Sequence, residues 1–97
     1  MSTRRVVITG LGLVSPLGNT VDDSWAALVA GRSGAGPITH FDPTDHPTRF
    51  ACEVKDLDVS AYVDKRDARR MDRSTHLALA AARQAEADAG LDLRTVG

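Results

Sequence analysis

The first pattern along the chain is a contiguous apolar run between residues 6 and 14. Val6, Val7 and Ile8 are strong strand formers, and apolar residues that follow one another without alternation are typical of a strand covered on both faces. The run predicts a buried strand over 6–14. An irregular segment should follow, where the backbone bends or approaches another element closely, marked by Gly10, Gly12, Pro16 and Gly18.

The apolar pattern then changes to a helical period. Residues that share one helical face recur at i, i+4, i+7 and i+8, namely Val21, Trp25, Leu28 and Val29. Thr20 is a favourable N-cap before them, and Gly31 is a favourable C-terminal stop. The pattern predicts a short amphipathic helix from Val21 to about residue 30.

The middle of the chain is rich in glycine and proline between residues 32 and 47, which favours loops. Two short strands are predicted, an edge strand over Ile38–Phe41 and a second strand over Phe50–Val54. Two helical turns should follow, one from Ser60 through Tyr62 and one from Asp64 through Arg70.

The last element is an alanine-rich helix, predicted from Ser74 as its cap to Ala89, with Gly90 as its stop. Apolar groups surround most of its first half, so we expect it to be largely buried.

Too few strands are predicted to cover a buried strand and a buried helix. The apolar residues Leu91, Leu93 and Val96 also follow the last helix. We therefore expect residues 1–97 to be an N-terminal fragment of a larger domain.

Charge and composition narrow the possible partners. Lys+Arg 12 against Asp+Glu 13 gives a formal net charge of -1, which offers no global attraction for nucleic acid or an anionic membrane. The apolar run at the start is broken by glycine well short of the ~20 residues that a membrane helix needs. One cysteine excludes an internal disulfide and fits a reducing compartment such as the cytoplasm.

The spacing of Gly10 and Gly12 behind an apolar run is a weak match to a dinucleotide-binding fingerprint. Ser15 stands where the third glycine would be, and the helix begins only at Val21. A pyrophosphate needs a helix N-terminus directly behind the glycine turn. A tight bend is the favoured interpretation, and no cofactor is expected.

Neither the cysteine nor the histidines have the surroundings of a catalytic group in the sequence. A nucleophilic cysteine needs a cation, a helix N-terminus or a glycine-rich turn nearby, but Cys52 is predicted in mid-strand beside Glu53. We expect it to be inert, in or near the core. His40, His46 and His76 are spaced irregularly, so neither a metal site nor a catalytic role is predicted for them.

The sharpest local feature is a basic run, defined as residues 65–73, with five cations in nine residues of a nearly neutral chain. A solvated turn is the default interpretation. The functional interpretation is a docking surface for an acidic partner, since clustered cations attract and hold anions.

Several motifs in order resemble a known family. RRVVITGLGLVSPLGN at 4–19 is similar to the opening of the β-ketoacyl synthases, and WAALVAGRSG at 25–34 and ITHFD at 38–42 are similar to their first helix and the loops after it. RRMD at 69–72 and ADAGL at 87–91 complete the resemblance, which covers essentially the whole chain. It is strongest to the elongating type II β-ketoacyl-[acyl-carrier-protein] synthases of fatty acid synthesis, a branch that SPLGNT at 15–20 favours. The ketosynthases of aromatic polyketide synthesis are the close alternative.

The resemblance implies an α/β, thiolase-like fold with layered αβαβα architecture, present only in part here, and a homodimer. It implies a decarboxylative Claisen condensation between an acyl thioester and malonyl-[acyl-carrier-protein]. The family's catalytic cysteine, two histidines and lysine lie farther along the chain, so no catalytic residue is carried over and the fragment alone is expected to be inactive.

What the resemblance does carry over is a docking role in the basic run. Arg66, Arg69 and Arg70 match positions that help receive acyl carrier protein in elongating synthases, and Lys65 extends them. Arginine at position 66, where lysine is common in the family, preserves the charge. Two further hypotheses stay open: a stand-alone module that binds a carrier protein or another partner, and a small nucleotide-binding domain.

Overall fold

The computed structural model describes residues 3–94. Within them the chain forms two short strands, three α-helices and one 3-10 helix. Their bounds are α1 (Val21–Val29), β1 (Ala35–Pro37), β2 (Phe50–Cys52), the 3-10 helix (Val59–Ala61), α2 (Lys65–Ala68) and α3 (Arg73–Ala89).

Helix α1 confirms the predicted position and both of its predicted ends. The Asp23 amide donates a hydrogen bond to the Thr20 hydroxyl over 3.1 Å, and Gly31 has a φ of 73° just beyond the last turn. The buried side of the helix, however, consists of Ser24 and Ala27. Trp25 is 64% exposed, so the predicted apolar face exists but is not covered by residues 3–94.

The predicted strand over 6–14 is absent, and the prediction that it is buried is wrong. Val6 is 95% exposed and Ile8 is 83% exposed. A strand is defined by hydrogen bonds to a neighbouring strand, and no neighbouring strand lies beside this segment in the described part of the chain. The run of β-forming side chains therefore lies open to solvent.

The second half of that segment is held against α3, and its glycines explain how. A Cβ atom at Gly12 would lie 1.9 Å from the Ala81 carbonyl oxygen, and one at Gly10 would lie 2.4 Å from the Ala85 carbonyl oxygen. Only glycine lets the two backbones approach this closely. The glycine spacing thus has a structural role in helix contact, which accounts for it without a nucleotide.

The two strands form one antiparallel pair, with Ala35 opposite Cys52 and Pro37 opposite Phe50. The predicted edge strand over Ile38–Phe41 is therefore misplaced, since the strand precedes it. Ile38 contributes one further hydrogen bond, from its amide to the Arg49 carbonyl oxygen at 3.0 Å. The second strand begins at Phe50 as predicted and ends at Cys52, two residues earlier than predicted.

Helix α3 confirms the alanine-rich helix but corrects its cap. The Thr75 amide donates to the Asp72 carboxylate over 2.9 Å, so Asp72 rather than Ser74 is the N-cap. Gly90 ends the helix with a φ of 69°, as predicted. Ala80 is the one fully buried residue of the helix, so the prediction of a largely buried helix is wrong for residues 3–94.

The fold leaves much of its surface uncovered. The accessible area is 7815 Å², whereas a monomer of 10.3 kDa is expected to expose about 5,400 Å². The radius of gyration is 17.0 Å, against about 13 Å for a closed domain of 100 residues. Leu91 and Leu93 are also exposed, and Val96 lies outside the described residues. The described elements therefore form an open arrangement around a very small core.

Gln84 on α3 joins three parts of the chain. Its Oε1 accepts a hydrogen bond from the Leu13 amide at 3.1 Å. Its Nε2 donates to the Asn19 carbonyl oxygen at 2.6 Å and to the Tyr62 hydroxyl at 3.2 Å. One side chain thus fixes the glycine segment, the loop before α1 and the end of the 3-10 helix.

Replacing Gln84 with leucine should destabilise the full-length protein by about 3 kcal/mol, because three polar groups lose their partner together, two of them in part-buried hydrogen bonds. Urea denaturation measures this loss. Arg83→Ala is the matched control on the same helix, since Arg83 is half exposed and forms a surface ion pair with Glu86, and it should change stability by no more than about 0.5 kcal/mol. Equal effects of the two substitutions would contradict the role assigned to Gln84.

Candidate functional site

The structure places the basic run where α2 ends and α3 begins. Residues 65–73 are called the α2–α3 corner. Lys65 and Arg66 lie in α2, and Arg69 caps the C-terminus of α2 in a helical conformation. The Arg70 amide closes the next turn by donating to the Asp67 carbonyl oxygen at 3.0 Å, and Arg73 is the first residue of α3. The five cations are therefore held on α2, on the turn that follows it and at the start of α3.

All five cations of the basic run are exposed, and none takes part in an ion pair within residues 3–94. Asp67, the one carboxylate among them before Asp72, is exposed as well and pairs with none of them. The positive charge of the corner is therefore not neutralised internally. Such a surface attracts an anionic partner and holds it by exposed ion pairs.

Asp72 belongs to the basic run, but its carboxylate is hydrogen-bonded at the N-terminus of α3. Hydrogen bonds from the Thr75 amide, from the Thr75 hydroxyl and then from the Ser74 hydroxyl hold the pKa of the Asp72 carboxyl below its ordinary value. The group stays ionised at neutral pH, and its contribution to stability is lost only as pH falls through that lowered pKa. Its charge caps α3 instead of pairing with the arginines.

An open pocket of about 370 Å³ lies directly beside two of the cations. It is lined by Val59, Ser60, Lys65, Ala68, Arg69 and His76. Apolar groups form most of the pocket wall, and Lys65 and Arg69 are among the residues that line it. The corner can therefore contact both the charged groups and a small apolar group of a partner.

Cys52 is exposed in β2, which corrects the prediction that it lies in or near the core. The reason is that the described sheet has only two strands, so the face that carries Cys52 has nothing packed on it. Its neighbours are Ala51 and Glu53, and it stands at neither a helix N-terminus nor a glycine-rich turn. These are not the surroundings that activate a thiol.

The three histidines have separate local contacts. His40 lies 3.5 Å from the Glu53 carboxylate, and the His46 ring meets the Phe41 ring edge to face at 5.3 Å. His76 is half-buried, and its Nε2 lies 2.8 Å from the Ala68 carbonyl oxygen. The three rings therefore contact three different groups. Among residues 3–94, no group of three His, Cys, Asp or Glu side chains has the arrangement of a metal site.

Two residues with clear structural roles were missed at the level of sequence. The Lys55 ammonium donates to the carbonyl oxygens of Pro16, Gly34 and Glu53 at 3.3, 3.0 and 3.0 Å, so its donors are occupied by backbone. His76 is the other, through its bond to Ala68. Both act on carbonyl groups of distant or separate elements, a relationship that leaves no periodic pattern in the sequence.

None of the helices within residues 3–94 is both long enough and apolar enough to cross a bilayer.

Comparison with known proteins gives consistent results. Residues 3–97 match the family model of the β-ketoacyl synthase N-terminal domain. A 3-oxoacyl-[acyl-carrier-protein] synthase 2 of Vibrio harveyi is 53% identical over 93 residues, covering 96% of this chain and 22% of that protein. The corresponding synthase 2 of a Synechocystis species is 50% identical over 91 residues, covering 94% of this chain and 22% of that protein.

A solved structure described as the ishigamide ketosynthase/chain length factor superposes with a TM-score of 0.83 at 43% identity, covering 99% of this chain and 24% of that chain. The helices and the two-stranded sheet described above therefore correspond to part of an α/β ketosynthase fold. The chain spans about a fifth of the length of the curated relatives that it matches. On the sequence match and the superposition together, the chain belongs to the β-ketoacyl synthase family, and its residues 3–97 match the model of that family's N-terminal domain.

Proposed function

We propose that this chain is the N-terminal part of a β-ketoacyl-[acyl-carrier-protein] synthase that elongates fatty acids. In the complete enzyme an acyl group moves to a cysteine, malonyl-[acyl-carrier-protein] loses carbon dioxide, and the resulting carbanion attacks the thioester. The relatives at 50–53% identity are named as synthases of this kind, which supports the reaction. They belong to the same family as this chain. The enzyme is an acyltransferase and needs no cofactor.

The complete enzyme has a thiolase-like, layered αβαβα fold and works as a homodimer in the cytoplasm. The exposed apolar surface of residues 3–94 supports the proposal of a larger, layered fold. Val6, Ile8 and Trp25 are 95%, 83% and 64% exposed, and burying such side chains is worth about 1.5–3 kcal/mol each. The remainder of the domain covers these residues in the complete protein.

Within that enzyme this chain supplies a surface that receives acyl carrier protein. The observation that carries this proposal is the set of exposed cations without an internal ion pair at the α2–α3 corner. The docking residues are Lys65, Arg66, Arg69 and Arg70. Catalytic groups come from outside residues 3–94, because Cys52, the three histidines and Lys55 are each exposed, separated or occupied.

One alternative activity has a specific observation in its favour. The ketosynthase/chain length factor structure, at 43% identity, raises polyketide chain synthesis as a second candidate. The higher identity of the fatty acid relatives, at 50–53%, supports the elongation reaction. Product analysis separates them, since an elongating synthase stops after one condensation at a β-ketoacyl chain, whereas polyketide synthesis adds further malonyl-derived units to the unreduced β-keto chain and gives a poly-β-keto product of higher mass. A non-catalytic module that binds a carrier protein would form neither product.

Changing Arg66, Arg69 and Arg70 together to alanine in the complete enzyme tests the docking surface. Each exposed ion pair is worth about 0.2–1 kcal/mol, so turnover of carrier-bound substrates at low concentration should fall about ten-fold or more. Turnover of small acyl thioesters should change little. Because exposed charges are screened, the difference should shrink as salt is raised from low to high concentration.

The matched control is a triple change of exposed arginines outside the basic run, Arg4, Arg49 and Arg83 to alanine, which removes the same net charge. It should leave carrier-dependent turnover within about two-fold of the unchanged enzyme, since only local charges act strongly at short Debye lengths. Equal loss with carrier-bound and small substrates would show that the three arginines hold the structure. No loss with either kind of substrate would mean that the basic run is a solvated turn without a docking role.

A further inference from the structure

Helix α2, which presents Lys65 and Arg66, has little to hold it in place. It contains only four residues, and a single helical turn is not stable in water on its own. Its N-cap residue, Asp64, makes no side-chain capping hydrogen bond. The orientation of the docking residues therefore depends on contacts with other elements.

His76 in the first half of α3 provides such a contact. Its Nε2 lies 2.8 Å from the carbonyl oxygen of Ala68, the last residue of α2. A carbonyl oxygen only accepts, so the ring donates from Nε2. The same oxygen also accepts from the Met71 amide at 3.2 Å, which satisfies both of its lone pairs. Among residues 3–94 this is the one hydrogen bond that joins α2 to α3 through a side chain.

The ring is also adjacent to the docking groups themselves. His76, Lys65 and Arg69 line the same open pocket, with Ala68 between the two cations along the chain. The last carbonyl groups of a helix have no partner within it, and a basic side chain such as histidine can supply one. Loss of the donor would leave the Ala68 carbonyl short of a partner and α2 free to tilt or unwind.

We propose that His76 is a positioning residue for carrier-protein docking: by holding the C-terminus of α2 against α3, it fixes the directions in which Lys65, Arg66 and Arg69 face the partner. This inference rests on the proposed docking function. His76 does not itself contact the carrier protein's acidic groups, and it takes no part in the chemistry.

The test uses the complete enzyme with His76→Leu, which keeps apolar bulk but has no donor, and His76→Gln, whose amide nitrogen replaces the donor. His76→Leu should raise KM for acyl carrier protein substrates about three- to ten-fold, the range expected for loss of one part-buried hydrogen bond, with kcat nearly unchanged. Turnover of small acyl thioesters should not change. His76→Gln should restore KM to within about two-fold of the unchanged enzyme. His46→Ala, a change at an exposed histidine outside the corner, is the control and should behave as the unchanged enzyme.

Equal loss with carrier-bound and small substrates would overturn the proposal, because it would mean a general structural role. Failure of His76→Gln to restore KM would also overturn it, since the donated hydrogen bond would then not be the cause. If the triple arginine change reduces carrier-dependent turnover while His76→Leu does not, the docking surface is supported and the positioning role of His76 is rejected. If the triple change has no carrier-specific effect, the docking function itself fails and this inference fails with it. Circular dichroism and thermal melting of each variant confirm that the compared proteins are folded.

Discussion

Replacing Gly12 with alanine should destabilise the complete protein by about 3 kcal/mol or more, through overpacking against a helix that cannot yield. The added Cβ would lie 1.9 Å from the Ala81 carbonyl oxygen and 2.7 Å from the Ala85 amide nitrogen. Both of these are backbone atoms of α3, so no side-chain rotation relieves the clash. The segment must move away from the helix, which also breaks the hydrogen bond between the Leu13 amide and Gln84.

Gly36→Ala is the matched control for this change. No heavy atom lies within 4 Å of a Cβ built at Gly36, and its φ is not in the left-handed region. Alanine there should leave stability unchanged or raise it by up to about 1 kcal/mol, since it reduces the freedom of the unfolded chain. Urea denaturation of the two variants gives the comparison. Similar stabilities would contradict the close contact between the glycine segment and α3.

The local elements could be predicted because their determinants lie within a few residues of one another. Thr20 begins α1 through its hydroxyl, which accepts from the Asp23 amide, and Gly31 and Gly90 end α1 and α3 through their positive φ angles. Asp72 was missed as the cap of α3 because Ser74, two residues later, is an equally suitable residue type. The side chain that reaches the Thr75 amide decides between them.

Burial could not be predicted in the same way, because it depends on what packs from a distance. The run at 6–14 has the composition of a buried strand, yet its apolar side chains are exposed and its glycines contact a helix about 70 residues farther along. The alanines that receive them, Ala81, Ala85 and Ala89, lie one helical turn apart on a single face. In the sequence that face is hidden among the other alanines of α3.

The candidate docking surface could be recognised in the sequence, whereas the hydrogen bond that holds its helix could not. A cluster of cations in a nearly neutral chain is visible from the order of residues in the sequence, and the structure shows that these residues are exposed on and beside a helical turn. The bond between His76 and Ala68 was not predicted, since the acceptor is a backbone carbonyl and carries no residue-type signal. The docking role of the four basic residues stays a prediction until it is measured.

The second large effect concerns catalysis: the chain of 97 residues should form no β-ketoacyl product by itself. Decarboxylative condensation needs an activated thiol and groups that stabilise the developing charge around one substrate. Here the single thiol, Cys52, is exposed in a strand, and the Lys55 ammonium is bonded to three backbone carbonyls. The histidines contact three different partners, Glu53, Phe41 and Ala68, so they form no shared site.

The most direct measurement of the proposed function incubates acyl- and malonyl-loaded carrier protein with the chain of 97 residues and, in parallel, with the complete enzyme, and follows product by mass. A Cys52→Ala variant of the complete enzyme is the control for the exposed thiol and should keep full activity. We expect β-ketoacyl-carrier protein, two carbons longer than the acyl donor, from the complete enzyme and its Cys52→Ala variant, and none from the chain alone. Product from the chain alone, or none from the complete enzyme, would contradict the account.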